Sequence, residues 1–226
     1  LRVHPLWVHK CVDKYVVAHD EGKRDLVNFG IGEGKIISGF VSLREGFLQD
    51  FSEEHLREKN SLDTRPCLLF MSSSRGRFPH IRETIHRLKD HFNILIIYGR
   101  NKKLKRTLDG IDSVSIKLFP FYENIWELVS VSSAIITKPG GQTVFEGIYK
   151  KKPLVFTHYM PGQERANMDL VTKYGVAKFV KNQRQFMEAI AEFAYSRTLP
   201  LHYPIEFKDI RRVLREVIHE TMTDNG

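Results

Sequence analysis

Residues 135–167 read IITKPGGQTVFEGIYKKKPLVFTHYMPGQERAN. The apolar run Ala134–Thr137 has the length of a buried strand and stops at Pro139-Gly140-Gly141. A helix follows, with Thr143 at its start and Glu146 in about its first turn. A second apolar strand, Pro153–Thr157, then leads to the polar cluster Gly162-Gln163-Glu164-Arg165-Ala166-Asn167. A strand–glycine–helix junction gathers free backbone N–H groups at the positive end of a helix dipole, which suits a phosphate. A carboxylate further along that helix can accept hydrogen bonds from the two hydroxyls of a ribose. The amide and carboxylate of the next crossover can do the same for a sugar ring. In this order the groups fit a nucleotide-sugar site.

Working outward, apolar strands alternate with amphipathic helices. The strands predicted are Tyr15–Ala18, Ile36–Ser38, Cys67–Met71, Ile94–Tyr98, Val114–Leu118, Ala134–Thr137, Pro153–Phe156 and Ala177–Val180. Most are unbroken apolar runs, as expected of strands covered on both faces. Residues three and four apart mark the helices: Ile81, Ile85 and Leu88; Ile125, Leu128 and Val129; Phe186, Ile190 and Phe193. Parallel strands need crossovers, so the fold class is α/β, a Rossmann-like parallel sheet with helices on both faces. Six strands between Cys67 and Val180 make one such domain, with its ligand expected at the strands' carboxyl ends. Residues 1–42 hold too little to close a core alone. Residues 43–64 are charged, poorly periodic and read as a linker, and Ile205–Met222 as an amphipathic helix with no strand after it.

Charge and cysteine content narrow the chemistry. Among 226 residues, 35 are Lys or Arg and 27 are Asp or Glu, so the net charge of +8 implies an anionic partner. Nucleotide phosphates, anionic lipid head groups and nucleic acid all qualify. The densest basic run, Arg100–Arg106, and the smaller Lys150–Lys152 read by default as solvated faces. Cys11 and Cys67 sit in strand-like runs and read as buried, reduced thiols of a cytoplasmic protein. No apolar run approaches the ~20 residues of a membrane-spanning helix.

KPGGQTVFE followed by PLVFTHYMPGQERAN resembles the donor half of the GT-B glycosyltransferases that make membrane glycolipids. These are the monogalactosyldiacylglycerol synthases and processive diacylglycerol glucosyltransferases, related to the peptidoglycan enzyme acting on lipid I. His4-Pro5-Leu6-Trp7-Val8-His9-Lys10 and Val12–Ala18 are similar to the end of that family's acceptor domain. The resemblance implies four parts: an acceptor-domain remnant (1–42), a linker (43–64), a donor-binding Rossmann-like domain (65–200) and a C-terminal crossing helix (201–226). It implies diphosphate contacts from Gly140, Gly141, Gln142 and Thr143, and from Ser74 and Gly76 in a second loop. Glu146 matches the acid that holds the ribose, and Tyr122 falls where backbone groups pair with uracil. Gln163, Glu164 and Asn167 match the sugar-reading motif, while His4 and His9 stand on the acceptor side. The implied reaction is transfer of a hexose from a UDP-sugar to a lipid acceptor, with inversion and without a metal or other cofactor. Implied partners are that acceptor, an anionic membrane surface on which the protein sits peripherally at the inner face, and an N-terminal domain. The general base is expected before Leu1, so the fragment would turn over little alone.

Each residue also has a plainer role. Gly140 and Gly141 would serve a tight turn, Glu146 a helix dipole worth about 0.3–1 kcal/mol, and Gln163 or Asn167 a cap. Trp7 and Tyr15 read as core. The loop after the first strand of the domain is Ser72-Ser73-Ser74-Arg75-Gly76, where the family has more glycine. The family's Gly-x-Pro turn is Gly39-Phe40-Val41 here, with Leu43 where a basic residue is expected and Arg44 next. Rival readings are a non-catalytic nucleotide-sugar-binding module and a UDP-sugar 2-epimerase-like enzyme. Nucleic acid is not expected, because the basic runs lack interleaved aromatics.

Overall fold

The computed structural model describes residues 2–71, 78, 80–111, 113–195 and 206–224. Three short elements open the chain after a 3-10 turn at Pro5–Trp7: β1 (Tyr15–Val17), α1 (Asp20–Asn28) and β2 (Ile36–Ser38). β1 and β2 pair in parallel, with α1 as their crossover. Leu26, Ile31 and Ile36 form a small core there, joined by Val3, Val8, Tyr15 and Val17. Next come β3 (Phe40–Leu43), a 3-10 turn at Glu45–Leu48 and α2 (Glu53–Lys59).

The main sheet is built from β4 (Cys67–Met71), α3 (Ile81–Leu88), β5 (Asn93–Ile97), α4 (Lys102–Leu108), β6 (Ile116–Phe119), α5 (Ile125–Val131), β7 (Ala134–Thr137), α6 (Gly141–Tyr149), β8 (Leu154–Phe156), α7 (Gln163–Lys173), β9 (Ala177–Phe179) and α8 (Gln183–Tyr195). Its strand order is β6-β5-β4-β7-β8-β9, with every neighbouring pair parallel. Successive side chains of one strand face opposite sides, so one apolar run feeds two cores. Leu69, Leu95, Ile135, Leu154 and Phe156 pack against α5, α6 and α7. Leu68, Phe70, Ile94, Ile96, Ile136 and Val155 pack against α3, α4 and α8. Each fully buried Leu, Ile or Phe is worth roughly 1.5–3 kcal/mol, which makes the two-layer cover the main stabilising device. Lys102, Lys103, Lys105 and Arg106 of the basic run lie on the outer face of α4; Leu104 and Leu108 turn inward, and Asn101 caps the Leu104 amide at 2.9 Å.

The flanking segments differ from the sequence reading. A parallel pair joins β3 to β10 (Glu206–Asp209), and α9 (Ile210–Asp224) begins only after it. Residues 206–209, predicted as the first turn of a helix, are therefore a strand. Residues 43–64, predicted as a linker, put Leu43, Phe47 and Leu56 into the main core. Lys59 donates to both Glu127 oxygens of α5 at 2.9 and 2.7 Å, and Lys150, just past α6, donates to the Gln49 carbonyl at 2.6 Å. Trp7 is 67% exposed, not core. Cys11 is exposed as well, while Cys67 is buried and its thiol pushed up to about 12 by that burial.

Candidate functional site

The chain leaves β4 toward β5 on one side and leaves β7 toward β8 on the other, so the order reverses between β4 and β7. Crevices at such reversals, at the carboxyl ends of the strands, receive ligands in open α/β sheets. β7 runs out into Lys138-Pro139-Gly140, and Gly140 is the N-cap of α6 at φ −72°, ψ 134° with no side chain capping it. Its own amide bonds to the Lys138 carbonyl at 2.8 Å. The Gly141, Gln142 and Thr143 amides take no partner among the described residues, so three donors remain at the positive end of the helix. Gly140 has an ordinary φ, and a Cβ there would stand 3.3 Å from the Lys138 ammonium, a tight approach to the mobile end of one side chain.

Glu146, on α6, is 1% exposed. Arg44, just past β3, reaches its Oε1 through Nε at 2.8 Å and Nη2 at 2.7 Å. Gln142, one turn back on α6, donates to the same oxygen at 3.1 Å. No described residue donates to Oε2. Burial raises the Glu146 pKa above the ordinary carboxylate value, and Arg44 and Gln142 oppose that shift without cancelling it.

The turn into α7 closes on the same loop. Gly162 sits at φ +92°, a region glycine enters without strain. Glu164 pairs through Oε1 with Lys138, and through Oε2 it accepts the Met160 amide at 2.7 Å. Asn167 is 1% exposed and donates to the Pro139 carbonyl at 3.1 Å, while its buried Oδ1 has no partner. Glu164 and Asn167 are thus tied to the Lys138–Gly140 loop. The plain capping role does not describe Asn167, which acts as a tether between crossovers.

Other residues singled out in the sequence sit as follows. His4 lies beside this turn, its ring 3.9 Å from where a Gly162 Cβ would stand. His9 is exposed, and its backbone is bracketed by the Tyr15 hydroxyl, which accepts from its amide at 2.7 Å and donates to its carbonyl at 2.8 Å. The Tyr122 hydroxyl donates to Glu127 at 3.0 Å; burial, reinforced by Glu127, pushes it up to about 12. Its backbone amide and carbonyl are bonded to no other described residue. Ser74, Gly76 and the Gln163 side chain lie outside the described residues.

Three participants escaped the sequence reading. Lys138 and Arg44 each pair with a site carboxylate. His158, two residues past β8, has Nδ1 3.0 Å from the Thr157 hydroxyl, its ring nearly perpendicular to that of Phe78, and Nε2 buried without a partner among the described residues. Burial lowers its pKa below the ordinary imidazole value, which favours the neutral ring. The legible signal for Lys138 was a cation immediately before Pro-Gly-Gly; Arg44 stood one place from where a basic residue was expected. Among the described residues no group of three His, Cys, Asp or Glu could hold a metal ion, and no helix is long and apolar enough to cross a membrane.

Known proteins share both the sequence and the frame. A processive diacylglycerol beta-glucosyltransferase of Bacillus thuringiensis (strain Al Hakam) is 28% identical over 189 residues, 81% of this chain and 49% of the relative. The counterpart from Bacillus licheniformis is 28% identical over 195 residues, 84% of this chain and 51% of its own length. The chain thus spans about half the length of the curated relatives it matches. Among solved structures, the UDP-GlcNAc 2-epimerase of Methanocaldococcus jannaschii superposes with a TM-score of 0.65 at 18% identity, covering 92% of this chain and 62% of that one. At such identity the likeness speaks for the fold alone. Residues 78–196 match the glycosyltransferase family 28 C-terminal domain, and with the switch point in the strand order, the uncapped helix and the two crossovers in that order, the chain belongs to this family.

Proposed function

We propose that this chain is the donor-binding half of a glycosyltransferase that transfers a hexose from a UDP-sugar to a lipid acceptor. The observation that carries the reading is the alignment, along one sheet edge, of three uncapped amides, a buried carboxylate with one open oxygen, and a tethered Glu164–Asn167 pair. The amides of Gly141, Gln142 and Thr143 receive the diphosphate. Glu146 Oε2 accepts a ribose hydroxyl, and the open backbone of Tyr122 receives the uracil edge. Asn167 Oδ1, buried and unpartnered, accepts from a sugar hydroxyl. The diol and ring chemistry does not separate glucose from galactose.

In the reaction the acceptor oxygen attacks the anomeric carbon while the bond to the β-phosphate oxygen breaks, and the electron pair leaves with UDP. Helix amides aimed at that oxygen favour its departure, because charge develops there in the transition state. A base must take the acceptor proton; none of the groups above serves that step, and the His4 ring stands beside Gly162. The named relatives act on diacylglycerol lipids, and the net charge of +8 suits peripheral docking on an anionic membrane.

Calorimetry of the whole chain with UDP, UDP-glucose, UDP-galactose and a DNA oligonucleotide tests the reading. UDP and its sugars bind and the oligonucleotide does not. Glu146→Ala removes a charge-assisted contact worth about 1.5–3 kcal/mol, weakening UDP roughly tenfold to a hundredfold. A chain indifferent to UDP would refute the proposal.

A further inference from the structure

We propose that Arg44 is the positioning residue for Glu146, occupying one carboxylate oxygen so that the other faces the ribose of the nucleotide. The inference rests on the nucleotide-sugar reading and concerns how its ribose acid is held. Arg44 lies 102 positions before Glu146 in the chain and reaches it with two nitrogens on one oxygen, Oε1. Gln142 adds a third donor to that oxygen, which leaves Oε2 the carboxylate's open acceptor among the described residues. The Glu146 side chain is 2% exposed, so its orientation is set by these donors and by the helix that carries it.

The Arg44 side is anchored in turn. The guanidinium carbon stands 5.2 Å from the centre of the Phe47 ring, and that ring is fully buried. β3, which ends one residue earlier, is held in parallel register by β10. The pairing therefore joins the β3–β10 ribbon to the helix over the cleft.

Charge makes the arrangement necessary. A carboxyl this deeply buried tends toward the protonated form, and Arg44 is the cation opposing that tendency, with Gln142 as its neutral helper. Lys150, four residues beyond Glu146 at the end of α6, is turned to the Gln49 carbonyl instead. Without Arg44 the acid would keep its place on the helix but lose its charge as the pH falls. A protonated carboxyl is a poorer acceptor for a ribose hydroxyl, so affinity would fall on the acid side first.

The test is UDP calorimetry on the full chain from about pH 6 to pH 9 for the parent, Arg44→Ala, Glu146→Gln and the double variant, each checked for folding by circular dichroism. Titration of the diphosphate itself is common to all four and cancels in the comparison. Arg44→Ala is expected to move the acid limb of UDP affinity to higher pH, so that affinity falls further below the parent near pH 6 than near pH 9. In the Glu146→Gln background the same change should cost under about twofold, since a residue acting only through Glu146 has nothing left to position. Arg44→Lys, which keeps the charge, should keep the limb near the parent position and serves if the alanine variant is misfolded. A loss that survives in full in the Glu146→Gln background would mean that Arg44 acts on the ligand directly and would overturn the inference alone. A parent chain that does not bind UDP would instead take down the nucleotide reading, and this inference with it.

Discussion

Gly46→Ala should destabilise the protein through a contact that the sequence alone does not reveal. A Cβ on Gly46 would stand 2.2, 2.3 and 2.6 Å from Cδ2, Cε2 and Cε3 of Trp126. Real Cβ atoms do not approach that closely, so either the 3-10 turn or the indole must move. The half-buried indole meets the fully buried Phe47 ring near edge-on at 6.3 Å, which limits its retreat on that side. Overpacking of this kind typically costs about 1–3 kcal/mol, and the depth of the clash places Gly46 toward the top of that range. Replacing glycine by alanine returns roughly 0.5–1 kcal/mol of backbone entropy, leaving a net loss of about 2 kcal/mol. For a chain of this length that is a fall in Tm of roughly 4–8 °C. Urea unfolding followed by far-ultraviolet circular dichroism and by tryptophan fluorescence measures the loss. In a Trp126→Leu background the same substitution should cost under about 0.5 kcal/mol, since the clashing ring is gone. A Gly46→Ala chain as stable as the parent would refute the packing of residues 45–48 on α5.

Two further outcomes follow from the charges and thiols. A thiol reagent at pH 8 should titrate one cysteine, the exposed Cys11, in the native chain and two after denaturation; Cys67, with its thiol pushed up to about 12, is thiolate in only about one molecule in ten thousand at that pH. Two fast thiols in the native state would contradict the burial of β4. Lys138→Met strips Glu164 of its cation beside the cleft, and UDP-sugar affinity should fall at least about tenfold, with Glu164→Gln milder because it removes the charge rather than exposing it. Unchanged affinity in Lys138→Met would remove Lys138 from the site.

The main sheet was legible because every central strand is an apolar run and every crossover has a helical period. Cys67–Met71, Ala134–Thr137 and Ile36–Ser38 have the bounds the pattern predicts, and others shift by a residue or two. β3 and β10 were not legible. Phe40–Leu43 and Glu206–Asp209 are four residues each, and their pairing joins positions more than 160 residues apart, so no local period marks them. The 43–64 stretch looked like a linker because its charged residues outnumber its apolar ones, yet Phe47 and Leu56 are spaced to anchor a turn and a short helix separately. At the site, glycines and acids could be read from spacing. Their cations could not, since Arg44 meets Glu146 only through the tertiary fold.

That pairing bears on how the proposed site would hold both acids and a diphosphate. Two bare carboxylates beside the α6 N-terminus would repel the ligand. At a separation of about 10 Å and an effective dielectric of about 20, each would oppose one negative charge by roughly 1.7 kcal/mol. The fold sets a cation against each acid, Lys138 against Glu164 and Arg44 against Glu146, so the pairs are neutral before any ligand arrives. The positive end of α6 is then left unopposed for the phosphates. The acids are not wasted by this. Glu164 uses both oxygens to fix the turn into α7, and Glu146 keeps one oxygen open. Removing either cation should therefore weaken phosphate and sugar recognition together, a linked loss that independent contacts would not produce.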